Sequence, residues 1–192
     1  MDGLLDQFRG RIPADQLLLI EEQILNAPIH PIWIALIQGM IAGITINAIA
    51  GFGEEYGWRG LLYSETGHSG FWKTSLLTGL IWGIWHSPII LYGHNYPDHP
   101  VIGVLMMTIW CLLLAPVFTY IRFKSRSVIA ASILHGTLNG TVGMAVMTVS
   151  GGSDLTRGMT GLSGFIVLAI VNLILIPLVQ KEKELWELRF NP

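Results

Sequence analysis

The sequence predicts an all-α fold, a polytopic transmembrane bundle of about five helices, on three observations. Only 12% of its 192 residues are charged, about half of the roughly 25% that soluble domains carry. Mean hydropathy is +0.55. The few charges are also segregated. The stretches 31–53, 74–97, 99–121, 127–153 and 158–180 contain no Asp, Glu, Lys or Arg, and each exceeds the roughly 20 residues that an α-helix needs to cross the hydrocarbon core. A net charge of −2 offers no basic surface and excludes nucleic acid as a partner. The single cysteine, Cys111, lies inside an apolar stretch and supports neither a disulfide framework nor a Cys-based metal site.

Residues 1–30 hold five acids and two arginines before any long apolar run, the wrong order for a signal peptide. Pro13 is placed to open a short helix reaching Asn26, with Leu17, Leu18, Ile20, Ile24 and Leu25 on its apolar side. It is too short and too charged to span, so 1–30 reads as an extramembrane or interfacial segment. Residues 31–180 hold the spans and form the functional domain, and 181–192 form a charged tail. Orientation follows the Lys and Arg that flank spans. Arg122, Lys124 and Arg126 make the one dense basic loop, which belongs in the cytoplasm. Alternation puts the 65–73 link and the tail on that same side, with 1–30, 92–100 and 154–157 opposite. An outer N-terminus without a signal implies further spans ahead of this chain. Trp33, Trp72 and Trp186 fall where an aromatic belt anchors span ends. His94, Asp98 and His99 read as a polar interfacial loop rather than an outer metal site. His30 and His68 read as boundary residues.

Ionisable groups inside a bilayer are costly and so mark polar cavities and function. Three clusters qualify: Glu54-Glu55-Tyr56-Gly57-Trp58-Arg59, Trp82 with His86, and His135 with Asn139. Counting along helices from the basic side, Glu54 lies about 16 Å from Glu65, His135 about 14 Å from Arg126 and His86 about 20 Å from Lys73. Three separate spans thus bring polar groups to one layer. Glu55 and Arg59 are four apart and can pair on one face. Glu54 is rotated about 100° away and points elsewhere. His135 and Asn139 share a face. One held carboxylate, one free carboxylate, two imidazoles and one amide suit amide hydrolysis. The free Glu takes a proton from water, and Asn139 and a His meet the developing oxyanion. A Glu with two His can instead hold a divalent metal such as zinc. His86 and His135 are then the ligands, and the shared depth of the two imidazoles leans slightly toward this. Separately, a Glu–Arg pair or an intramembrane His is also ordinary helix-packing glue. It is the conjunction that favours a site.

The three clusters resemble the motif set of the CAAX protease and bacteriocin-processing (CPBP, or Abi) family, which includes CAAX prenyl endopeptidases of type 2 and bacteriocin self-immunity proteins. The family pattern is Glu-Glu-x-x-x-Arg, Phe-x-x-x-His and His-x-x-x-Asn or Asp on successive membrane helices. Glu54–Arg59 and His135–Asn139 fit in full, and the second motif carries Trp82 in place of Phe and retains His86. The resemblance covers roughly residues 31–149. It implies that Glu54 activates water, that Glu55 and Arg59 support it, that His86 assists or binds the water, and that His135 and Asn139 hold the oxyanion. The family contains both metal-dependent and metal-independent descriptions. The implied function is an intramembrane endopeptidase acting on a membrane-bound or lipid-anchored peptide or protein. It would sit among lipids of the prokaryotic plasma membrane, with its site open toward the cytoplasm. The alternative is a non-catalytic immunity or binding protein using the same pocket. A transporter ranks third, because the sequence has no repeated half.

Overall fold

The computed structural model describes residues 2–9 and 12–190. Met1, Gly10, Arg11, Asn191 and Pro192, which belong to the two flanking segments, lie outside the described residues. Among the described residues every regular element is helical, as the composition predicts. Helix α1 (Asp2–Phe8) precedes α2 (Ala14–Leu25). Pro13 stands immediately before α2, and α2 buries none of its residues.

The first charge-free stretch is not one straight helix. Helix α3 (Pro31–Ile44) is followed by α4 (Ile46–Glu55), with a bend of 49° at the break. Thr45 sits at the bend with φ −116° and ψ −101°, and its Oγ1 donates to the Ile41 carbonyl at 2.6 Å. A hydroxyl that takes a backbone acceptor in this way offers the chain an alternative to the regular ladder. Helix α4 continues through a wide π-helical segment, Tyr56–Leu62, into α5 (Tyr63–Thr66) and a short 3-10 turn, Gly67–Ser69. The next apolar stretch is divided as well, into α6 (Phe71–Trp85) and α7 (Ser87–Leu91). Pro88 explains the break. It has no N–H to give and its ring opposes the carbonyl four residues back.

The remaining helices are α8 (Pro100–Ser125), α9 (Val128–Thr141), α10 (Met144–Met147), α11 (Leu162–Lys181) and α12 (Lys183–Phe190). Arg126 ends α8 in the left-handed conformation, φ 55°, and Ser127 caps α9 by accepting the Ala130 N–H at 3.3 Å. Three helices, 100–125, 128–147 and 162–181, are long and apolar enough to cross a membrane, and the bent pair around Thr45 makes a fourth. The break at His86 separates this count from about five, because neither α6 nor α7 is long enough alone. The chain is an integral membrane protein on this evidence. Only 6% of the apolar window of α11 is buried, which leaves a lipid-facing surface of Ile166, Val167, Ile170, Leu173 and Ile174.

Helix α9 packs against both α3 and α4, and α6 packs along α8. Glycines set the first of these interfaces. A Cβ on Gly136 would collide with the Gly43 carbonyl oxygen and the Ala48 amide, so backbone meets backbone there, as in small-residue packing of membrane helices. Gly51 lets α4 lie against the His135 ring, which brings the first and third motifs together.

The loops separate to two ends as the alternation predicts. At one end Arg122 Nε donates to the Arg59 carbonyl, Lys124 pairs with Glu182 at 2.6 Å, and Arg189 donates to the Phe123 carbonyl. At the other end the Asp98 N–H donates to Asp154 at 2.9 Å, His99 meets the same carboxylate at 2.6 Å, and Tyr96 donates to the Thr160 carbonyl. Burial pushes the Asp154 carboxyl up, but the bonds from His99 and the Asp98 N–H outweigh it and hold the group below its ordinary value. A depressed carboxylate contributes stability above its unfolded value, and that contribution is lost as pH falls through the lowered one. Trp186 departs from the belt expectation. It is buried among Tyr63, Phe71, Phe123 and Phe190, and its indole N–H donates to the Gly67 carbonyl at 2.9 Å. Trp33 is exposed, as expected.

Candidate active site

Four helical segments deliver the three motifs to one place. Glu54 and Glu55 close α4, and Arg59 follows in the π-helical segment. Short π-helical stretches recur at functional sites because they rotate side chains out of register. Arg59 Nη1 donates to Glu55 Oε1 at 3.0 Å, and His135 Nδ1 donates to that same oxygen at 2.8 Å. Glu55 is fully buried and Arg59 is 1% exposed. The Arg59 guanidinium also lies between two aromatic faces, 4.6 Å from Trp82 and 4.3 Å from Phe118. The sequence pairs Glu55 with Arg59 but places His135 only with Asn139, and its bond to Glu55 is a link that α4–α9 packing adds.

Glu54 does point elsewhere. Its Oε2 accepts the Trp82 indole N–H at 2.9 Å, and its Oε1 lies 3.9 Å from His135 Nε2. That separation is too long for a direct hydrogen bond. His86 stands at the break after α6, with Nδ1 2.8 Å from the Trp82 carbonyl oxygen. A carbonyl only accepts, and a carboxylate only accepts. These bonds therefore place the proton of neutral His86 and of neutral His135 on Nδ1, and leave each Nε2 with a free lone pair.

Glu54, His86, His135 and Asn139 line a common cavity of about 710 Å³, together with Trp82, Trp85, Trp110 and Phe118. Glu55 and Arg59 lie behind its wall. Two of its lining residues, His94 and Asn95, were legible only as part of an interfacial loop. No periodic pattern points that loop inward, and only the turn after α7 does so. The cavity takes its residues from Glu54 of α4, the C-terminal ends of α6 and α9, α7, the middle of α8 between Met107 and Phe118, the 92–99 loop and Thr160. No residue of the basic loop at 122–126 lines the cavity, although Arg59, just behind its wall, is held by Arg122 through its carbonyl.

For a metal, the donor chemistry is suitable. Two imidazoles present Nε2 while Nδ1 donates to a carbonyl or carboxylate, the usual arrangement of ligating histidines. A metal cage takes three or more ligands, and among the described residues no three His, Cys, Asp or Glu side chains stand together as such a group. His94, Asp98 and His99 form no such group either.

Comparison with known proteins agrees with the motifs. CAAX prenyl protease 2 of Methanococcus maripaludis is 30% identical over 96 residues, an alignment covering 45% of this chain and 34% of that protein. The matched part is thus about a third of the relative's length. No solved structure matches. The family model described as type II CAAX prenyl endopeptidase Rce1-like matches residues 28–141, which is more than half of the chain and contains all three motifs. The chain therefore belongs to the type II CAAX prenyl endopeptidase Rce1-like family.

Proposed function

We propose that this chain is an intramembrane endopeptidase that hydrolyses a peptide bond of a membrane-bound or lipid-anchored substrate, with a CAAX-type prenylated C-terminus as the substrate class its family and relative suggest. One observation carries the mechanism. Glu54 Oε1 and His135 Nε2 are both acceptors, 3.9 Å apart at the wall of one cavity. A water that donates one hydrogen to each is held with its oxygen lone pairs directed away from both. Glu54 then removes a proton as the water oxygen attacks the scissile carbonyl carbon. The same proton is returned to the leaving amine as the C–N bond breaks.

The tautomers sharpen the other roles. His135, with its Nδ1 proton on Glu55, serves better as a water acceptor than as an oxyanion donor. Asn139 is the neutral donor left for the oxyanion, and its exposed amide lines the cavity. His86, with Nδ1 on the Trp82 carbonyl, is a second acceptor for water. The test is cleavage of a synthetic peptide ending in a prenylated Cys-aliphatic-aliphatic-X sequence, and of its unlipidated counterpart, by the purified chain. Cleavage that depends on Glu54 supports the reading. Failure of the wild-type chain to cut either peptide sinks it in favour of the non-catalytic binding alternative, which the family match does not favour.

A divalent ion such as zinc is the second reading, because both imidazoles offer Nε2. Metal analysis and chelation separate the two. The expected result is undiminished cleavage in chelator-treated protein shown to be metal-free. Loss of cleavage on chelation, restored by one equivalent of zinc, reverses the order of the readings.

The basic end, which also holds Lys73, Lys181, Lys183 and Arg189, faces the cytoplasm of a prokaryotic plasma membrane in this proposal. Cys111 is fully buried, so added cysteines can be labelled against it. A membrane-impermeant thiol reagent is expected to label Ser153→Cys in intact cells and Ser125→Cys only after lysis. The opposite pattern turns the molecule over.

A further inference from the structure

We propose that Trp82 is a positioning residue for Glu54, holding the carboxylate at the cavity wall through an indole N–H that phenylalanine, the usual residue at this motif position, cannot supply. The inference rests on the reading of Glu54 as the base. Glu54 is partly exposed in the cavity, its side chain 27% accessible. The Trp82 N–H at 2.9 Å is the one hydrogen bond its carboxylate makes among the described residues. A glutamate has three rotatable bonds, and among the described residues this is the one hydrogen bond that restrains them.

Trp82 is well placed to supply that constraint. It is 2% exposed. One side of its ring receives the Arg59 guanidinium. Phe118 and His135 pack at 5.6 Å between centroids, and Trp110 at 6.3 Å. An indole enclosed in this way cannot swing its N–H elsewhere. Its backbone carbonyl meanwhile fixes His86 Nδ1 at 2.8 Å. One residue thus sets the direction of the carboxylate through its side chain and of an imidazole through its main chain. Holding both at the wall of one cavity is the kind of geometric control in which an error of about 1 Å costs on the order of a hundredfold in rate.

The experiment compares Trp82→Phe, which keeps an aromatic ring, with a benzothiophene analogue of tryptophan at position 82, which keeps the full volume and replaces N–H by sulfur. Both are expected to lose about ten- to a hundredfold in kcat, as removal of a hydrogen bond to a charged group implies. KM should stay within about twofold, as for an interaction that serves the transition state rather than uniform binding. A second arm needs no turnover. The protein has seven tryptophans, and the indole proton resonance missing from Trp82→Phe identifies Trp82. In Glu54→Gln that resonance should move upfield, because a neutral acceptor makes the weaker bond. If the benzothiophene variant cleaves with wild-type kcat, or loses only KM, the proposal is overturned. An unmoved indole resonance in Glu54→Gln overturns it equally. Should the wild-type chain cleave nothing, the endopeptidase reading fails by itself, and the indole arm still decides whether Trp82 holds Glu54. If Trp82→Phe does not fold, the benzothiophene variant serves both arms.

Discussion

Glu54→Gln is expected to leave the protein folded and to lower peptide cleavage by about 10²–10⁴-fold, the range that a positioned general base contributes. The amide of Gln has nearly the volume of the carboxylate, and its carbonyl oxygen still accepts the Trp82 N–H. The residue lies at a cavity wall rather than in the packed core, so no buried charge is stranded by the change. What is lost is the ability to take a proton from water. Thermal unfolding in detergent should therefore stay close to wild type while turnover falls below detection in most assays. The comparison that gives the prediction its force is Glu55→Gln. Glu55 touches Arg59 and His135 and does not line the cavity. Near wild-type cleavage by Glu54→Gln, together with loss of cleavage in a stable Glu55→Gln, reverses the roles given to the pair.

Much of this arrangement was legible in the sequence because membrane helices leave few places for polar groups. Charge-free stretches mark the helices, and counting residues from their charged ends places Glu54, His86 and His135 in one layer. The divergence of Glu54 from Glu55 follows from helical rotation alone, and the structure gives them different partners. What was not legible depends on details that hydropathy does not carry. The bend at Thr45 comes from one hydroxyl and one unusual backbone conformation. The break after His86 had a visible signal in Pro88, yet Pro116 and Pro177 lie inside unbroken helices, so the signal alone does not decide. The Trp82–Glu54 and His135–Glu55 bonds join helices distant in sequence, and they follow from glycine-lined contacts such as Gly51 against His135. Spacing within one helix has nothing to say about them. That His94, Asn95 and Thr160 line the cavity depends on where two loops fold back, which no periodicity records.

The buried pair itself should show an asymmetry that its geometry explains. Glu55→Ala is expected to destabilise the protein by about 3–5 kcal/mol, the usual cost of stranding one member of a buried ion pair. Arg59 would remain charged and 1% exposed, with Trp82 and Phe118 on its faces but no carboxylate. His135 would lose the acceptor that fixes its tautomer. Arg59→Ala is expected to cost less, because Glu55 keeps the His135 donor at 2.8 Å. The double variant Glu55→Ala, Arg59→Ala should be more stable than Glu55→Ala alone, since removing both partners leaves no unpaired charge in the interior. All three variants should have reduced cleavage, for each disturbs the residue that aims His135 Nε2 at the cavity. Thermal unfolding and expression yield measure the first part, and peptide cleavage by the folded fraction measures the second. If Arg59→Ala proves as damaging as Glu55→Ala, and the double variant is worse than either, then the His135 bond carries none of the burden. Glu55 and Arg59 would then act as a simple salt bridge, with His135 positioned by helix packing alone.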